Sequence, residues 1–126
     1  MEKRKKILIV DDEVNFTKLL EVFLRQRGYE TTVAQSGNEG IAMVRTFCPD
    51  LILLDLGLPD LPGDVTALRI KSEHQDRIPI MALTGHADSL SQATARAMGF
   101  LDYVVKPFEP DDLIRRIEKV LKESLA

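Results

Sequence analysis

Four positions in this chain carry side chains whose types and placement could do chemistry. Ile7 to Val10 is an unbroken apolar run ending at Asp11-Asp12-Glu13, and Leu51 to Leu54 is a second such run ending at Asp55. Ile78 to Leu83 ends at Thr84-Gly85-His86, and Leu101 to Val105 ends at Lys106-Pro107-Phe108. Runs this short and this apolar read as strands buried on both faces of a parallel sheet. A charged carboxylate cannot stay in such a layer unpaired, so burial stops where the acid begins. Parallel strands put all their carboxyl ends on one edge, where open α/β sheets hold ligands. Acids, a hydroxyl and an amine therefore meet in one crevice.

That combination has a specific chemistry. Three carboxylates crowded together repel each other at neutral pH unless a cation sits among them. All-oxygen ligands in a small site that leaves room for water and phosphate select a hard ion, Mg²⁺. A carboxylate can then attack a phosphoryl donor and form an aspartyl phosphate. The ammonium group and the ion would neutralise the phosphoryl oxygens during transfer.

The elements that must position these groups follow from the pattern between them. Phe16, Leu19, Leu20, Phe23 and Leu24 recur at helical spacing, and Gly28 ends that helix. Thr31 to Ala34 reads as an edge strand of mixed polarity. Ser36 and Glu39 form a capping box for a helix carrying Ile41, Val44 and Cys48, which Pro49 stops. In this reading Cys48 is a small core hydrophobe. Gly57 to Gly63 is a turn-rich loop leading to a helix over Asp64 to Glu73 anchored by Val65 and Leu68. Asp88 to Met98 has helical composition with a thin face of Leu90, Ala93 and Ala97, closed by Gly99. Pro110 with Asp111 and Asp112 opens a last helix striped by Leu113, Ile114, Ile117, Val120 and Leu121. Five strand–helix repeats in 126 residues are too few for an eight-fold barrel, which leaves a doubly wound parallel sheet of the α/β class in one domain over residues 1–126.

Bulk properties exclude several functions. Seventeen basic against twenty acidic residues give a net charge of −3, with no basic stripe for direct nucleic-acid binding. One cysteine excludes an internal disulfide, and two histidines offer no zinc spacing. No apolar run approaches membrane length and no signal peptide is visible, so a reducing, cytoplasmic setting is expected.

The residues that end the strands, with Pro59 and Gly63 behind Asp55, resemble the receiver domain of two-component response regulators over about Lys5 to Leu121. The resemblance implies a flavodoxin-like sheet of order 2-1-3-4-5 with five helices. It implies that Asp55 accepts a phosphoryl group, that Thr84 and Lys106 bind it, and that Asp11, Asp12, Asp55 and the Gly57 carbonyl hold Mg²⁺. Tyr103 matches the family's switch aromatic, and the Lys106–Pro107 bond would be cis. Such a domain catalyses its own phosphorylation and dephosphorylation and is no metabolic enzyme. Implied partners are a sensor histidine kinase or phosphotransfer protein and a downstream effector or output domain. A second copy pairing through the fourth helix, fifth strand and last helix is also implied, with Asp102, Arg115, Arg116 and Lys119 as polar contacts. Pro62 departs from the small polar residue many relatives have there, and Gly57 and His86 occupy positions that tune phosphoryl lifetime.

Other classes fit less well. A haloacid-dehalogenase-type phosphatase has Asp-x-Asp after its first strand, whereas Asp55-Leu56-Gly57 follows the third run. A flavin binder would need a phosphate-cradling loop where Asp11-Asp12 stands, and no Gly-x-Gly-x-x-Gly occurs for a dinucleotide fold. A degenerate receiver that only binds partners is the remaining rival.

Overall fold

The computed structural model describes residues 4–75, 77–85 and 92–124. Chain order is β1 (Lys6–Val10), α1 (Val14–Gln26), β2 (Glu30–Ala34), α2 (Gly37–Phe47), β3 (Leu51–Asp55), α3 (Gly63–His74), β4 (Ile80–Thr84), α4 (Gln92–Ala97), β5 (Asp102–Val105) and α5 (Pro110–Ser124). The strands form one parallel sheet in the order β2-β1-β3-β4-β5. Leu51 to Leu54 and Ile7 to Val10 are fully buried, as the unbroken apolar runs require. Each such side chain removed from water contributes roughly 2 kcal/mol.

Two cores flank the sheet because side chains alternate along a strand. Leu8, Val10, Ile52, Leu54, Ile80 and Ala82 face one layer, where α2 and α3 supply Val44 and Ile70. Ile7, Ile9, Leu51, Leu53, Met81 and Leu83 face the other, where α1 and α5 supply Leu24 and Ile117. Ser36 caps α2 as the sequence predicts, its Oγ accepting from the Glu39 amide at 3.1 Å. The Lys106–Pro107 bond is cis.

Several helix faces differ from the pattern-based reading. Leu19 is 71% exposed, so the buried face of α1 is Thr17, Leu20 and Leu24. Leu68 is 67% exposed and Val65 is only half-buried. The seat of α3 is instead Gly63, Thr66, Ala67 and Ile70, a proper helical spacing filled mostly by small residues. In α4 it is Ala95 that is buried, while Ala93 and Ala97 are exposed. Leu90 and the start of that expected helix lie outside the described residues, as does His86.

Cys48 is the clearest correction. It is exposed rather than part of the core. The chain leaves α2 there through a left-handed residue, φ 53 and ψ 60, which turns the side chain away from the sheet while Pro49 is buried behind it. Left-handed backbone costs a residue with a Cβ about 1–2 kcal/mol. Cys48→Gly is therefore expected to raise stability by about 0.5–1 kcal/mol, read as a melting temperature higher by roughly 2–4 °C. Wild-type Cys48 should also react with a thiol reagent in the folded protein, and a thiol that labels only after unfolding would contradict this placement.

Candidate functional site

The carboxyl ends of β1, β3, β4 and β5 build one crevice. Register sets the depth of each group, since Val10 lies beside Leu54, Asp55 beside Leu83 and Thr84 beside Val105. Asp11 follows β1 by one residue and its amide still bonds the carbonyl of Ala34, so it is pinned at the sheet edge. Lys106 follows β5 and is pinned the same way, its amide bonding the carbonyl of Thr84 at 2.7 Å.

Carboxylate oxygens of Asp11, Asp12 and Asp55 all lie within 4.8 Å of one another. Asp11 is fully buried, Asp12 is exposed and the Asp55 side chain is 13% exposed. Lys106 Nζ lies 2.6 Å from Asp11 Oδ2 and 3.9 Å from Asp55 Oδ1. The same ammonium sits 4.3 Å from the centre of the Phe16 ring, which in turn meets Phe108 edge to face at 5.9 Å. The sequence reading treated Phe16 only as part of a helix face. Its role as a floor for the lysine depends on where the Lys106 arm folds, and no local pattern encodes that.

The remaining lone pairs are directed by backbone. Asp11 Oδ1 accepts from the Glu13 amide at 2.9 Å, and Asp55 Oδ1 accepts from the Gly57 amide at 3.1 Å. Thr84 is buried at the end of β4. Tyr103 is half-buried against the α2–α3 core and lies beside Ala82 in the register, on β5 three residues before Lys106 and below the carboxyl-end edge. Asp102, Arg116, Asp112 and Arg115 form a connected ion-pair network within the chain, and Lys119 is exposed on α5. All the predicted site groups among the described residues thus converge on one edge, except Tyr103, which flanks it.

Burial pushes the Asp55 carboxyl above the ordinary carboxylate range, and the charges of Asp11 and Asp12 push the same way. The Gly57 amide and the Lys106 ammonium oppose the shift without cancelling it. Three acids thus face one cation. An all-oxygen donor set, one member accessible to water, fits a hard divalent ion such as Mg²⁺.

The sequence of residues 7–118 matches the response regulator receiver domain family. The chain belongs to that family. It is 37% identical over 121 residues to a probable transcriptional regulator, ycf27, of Cyanophora paradoxa, covering 96% of this chain and 50% of the relative. It is 33% identical over 121 residues to the DNA-binding response regulator MtrA of Mycobacterium tuberculosis, covering 96% and 52% respectively. This receiver therefore spans about half the length of those curated relatives. The crystal structure of a CheY-like receiver from Methanospirillum hungatei superposes with a TM-score of 0.88 at 29% identity, covering 97% of both chains.

Because its carboxyl is raised in the folded receiver, Asp55 binds its proton more readily there than in the unfolded chain. The stability this represents is fully present below the ordinary carboxylate range and is lost as pH rises through the raised value. In chelator at pH 7, Asp55→Asn should raise the melting temperature by about 3–5 °C, corresponding to about 1 kcal/mol of relieved repulsion. The gain should shrink as pH falls and vanish below the ordinary carboxylate range, so equal melting curves for mutant and wild type at pH 7 would contradict the electrostatics described.

Proposed function

We propose that this chain is a single receiver domain, residues 1–126, that accepts a phosphoryl group on Asp55 from a sensor histidine kinase or a phosphotransfer protein. The observation that carries the reading is the placement of a nearly buried carboxylate within reach of two further acids and one ammonium group. A degenerate receiver would be expected to have lost one of these groups.

In this reading an Asp55 oxygen attacks the phosphorus of a phosphohistidine, in line with the departing nitrogen. A P–O bond forms, the P–N bond breaks, and the electron pair returns to the imidazole, which takes a proton. Asp11, Asp12, Asp55 and the Gly57 carbonyl are the groups that would hold Mg²⁺, which when bound supplies charge neutralisation to the phosphoryl oxygens. The Gly57 amide holds Asp55 Oδ1 and so fixes the rotation of the carboxylate. Lys106, already directed at Asp11 and Asp55, neutralises the new negative charge, and the Thr84 hydroxyl donates to the phosphoryl group. Gly57 offers no side chain to hold or exclude a hydrolytic water.

The effect on partners follows from the same geometry. Drawing Thr84 toward a dianion frees space beside Tyr103, whose ring then turns inward. The surface of α4, β5 and α5 is the one that changes, and its partner is an effector, an output domain or a second copy of the chain. The names of the curated relatives favour a DNA-binding output in the whole protein, while this domain itself makes no direct contact with nucleic acid. A cytoplasmic setting goes with this reading. Among the described residues no helix is long and apolar enough to cross a membrane.

Acetyl phosphate with Mg²⁺ should add the mass of one phosphoryl group to the wild type and nothing to Asp55→Asn. Lys106→Met should slow the labelling by about a hundredfold while leaving Mg²⁺ binding in place. An Asp55→Asn protein that still gains the mass would sink the assignment. With beryllofluoride, a phosphoryl mimic, amide exchange should change most between Thr84 and Tyr103 outside the crevice. Changes centred on α1 would overturn the account of the switch.

A further inference from the structure

The first turn of α2 is closed by a residue from a different loop. A helix start leaves its first amides without intrahelical acceptors. Ser36 Oγ serves Glu39, but the amides of Gly37 and Asn38 go to the two oxygens of Asp60, at 2.8 and 2.9 Å. These two amides, donating to the charged carboxylate, hold Asp60 below its ordinary range. The contact is tight as well as polar. A Cβ on Gly37 would meet Thr66 Oγ1 at 2.7 Å and Leu61 Cβ at 3.0 Å, so only glycine lets α2 come this close.

Asp60 sits in the β3–α3 loop, three residues after Gly57, and is one of several anchors that hold that loop. Leu58 is buried in the core and Leu61 packs against it. At the far end α3 closes on the loop's start, where a Cβ on Gly63 would meet Leu56 Cα at 2.8 Å. Between these anchors lies Gly57, whose amide bonds Asp55 Oδ1 and whose carbonyl is among the groups assigned above to the metal. The N-terminus of α2 therefore acts as a fixed anion site, with the carboxylate of Asp60 as its occupant.

We propose that Asp60 is a positioning residue for the phosphoacceptor site: by clasping the N-terminus of α2 it holds the loop that aims Gly57 at Asp55. For metal binding, the inference rests on the reading of Asp55 and its neighbours given above. Its mechanical part does not, since the Gly57–Asp55 hydrogen bond exists without ligand. Asp60 touches no reacting atom. It acts through the backbone of the loop, as outer residues around metal sites orient the inner ones.

Ser36→Ala supplies the control, because it removes a cap from the same helix and leaves the loop untouched. Both Asp60→Ala and Ser36→Ala should lower the melting temperature. In metal-free protein only Asp60→Ala should speed amide exchange at Gly57, by about tenfold relative to a buried amide such as Leu53. With Mg²⁺ alone as the probe, followed by amide NMR shifts, Asp60→Ala should weaken binding by about tenfold and Ser36→Ala should leave it unchanged. Asp60→Asn keeps one of two acceptor oxygens, so it should fall between, and it carries the test if the alanine variant does not fold. Gly57 exchange and Mg²⁺ affinity that stay at wild-type values in the Asp60 variants, or that shift equally in Ser36→Ala, would overturn the proposal. Absence of any Mg²⁺ shift in the wild type would instead sink the metal assignment, while the Gly57 exchange would still decide the clasp.

Discussion

The pairing of Lys106 with Asp11 is the interaction on which the rest of this receiver's working edge depends. Asp11 is fully buried, and a buried carboxylate without a partner costs several kcal/mol. Its partner comes from the other end of the chain, across β3 and β4 in the sheet order. Three strand spacings amount to about 14 Å, more than a lysine arm covers alone. The gap closes because Lys106 stands past the end of β5, pinned through its amide to Thr84, with its ammonium resting on Phe16. One ion pair thus ties the first strand, the last strand and α1 to a common edge.

The pair does not balance the site, and the imbalance is what gives the edge its chemistry. Asp12 and Asp55 add two further charges close to Asp11, and each like-charged pair at such distances costs between about 1 and 4 kcal/mol, depending on screening. A fold selected for stability alone would replace these acids with neutral residues. Here the cost is held in place by the strands beneath, whose fully buried residues fix Asp11 and Asp55 to a register they cannot relax from. Consistency among local preferences breaks down at this edge, as expected where a fold carries a function.

Much of this was legible in the sequence because a parallel sheet converts linear order into spatial convergence. Once Ile7–Val10 and Leu51–Leu54 read as buried strands, Asp11 and Asp55 had to share an edge, and the same logic brought in Thr84 and Lys106. The helix seats were less legible, and α3 shows why. Its buried positions are Gly63, Thr66, Ala67 and Ile70, whereas a search for large apolar residues selects Val65 and Leu68. Where a helix lies close to a sheet or loop, small residues occupy the contact, so side-chain size points to the wrong face. Cys48 failed for a different reason, since a left-handed residue turned it outward. Asp60 was unreadable because it meets the α2 amides across 22 to 23 residues, between loops that no periodicity links.

The two halves of the edge are built to respond differently to charge. Around Asp11 the groups are fixed by burial, by the Ala34 carbonyl and by Lys106, so added charge there meets a rigid frame. Around Tyr103 the surroundings are half-buried, and the neighbouring Asp102 is held by Arg116, itself shared with Asp112 on the surface of α5. Such partly exposed ion pairs contribute about 0.2–1 kcal/mol and can be exchanged for others. A ligand shifts an equilibrium only by its difference in affinity for the two states. A dianion on Asp55, as proposed above, would act directly on Lys106 and Thr84. The backbones of β5 and α5 are seated by the pairing with β4 and by buried Val104, Leu113 and Ile117, whereas the Asp102–Arg116–Asp112 pairs at their surface are weakly held. In that reading, a bias of a few kcal/mol at the rigid end would be enough to rearrange those surface contacts, so the direction of signalling would follow from where the fold is stiff.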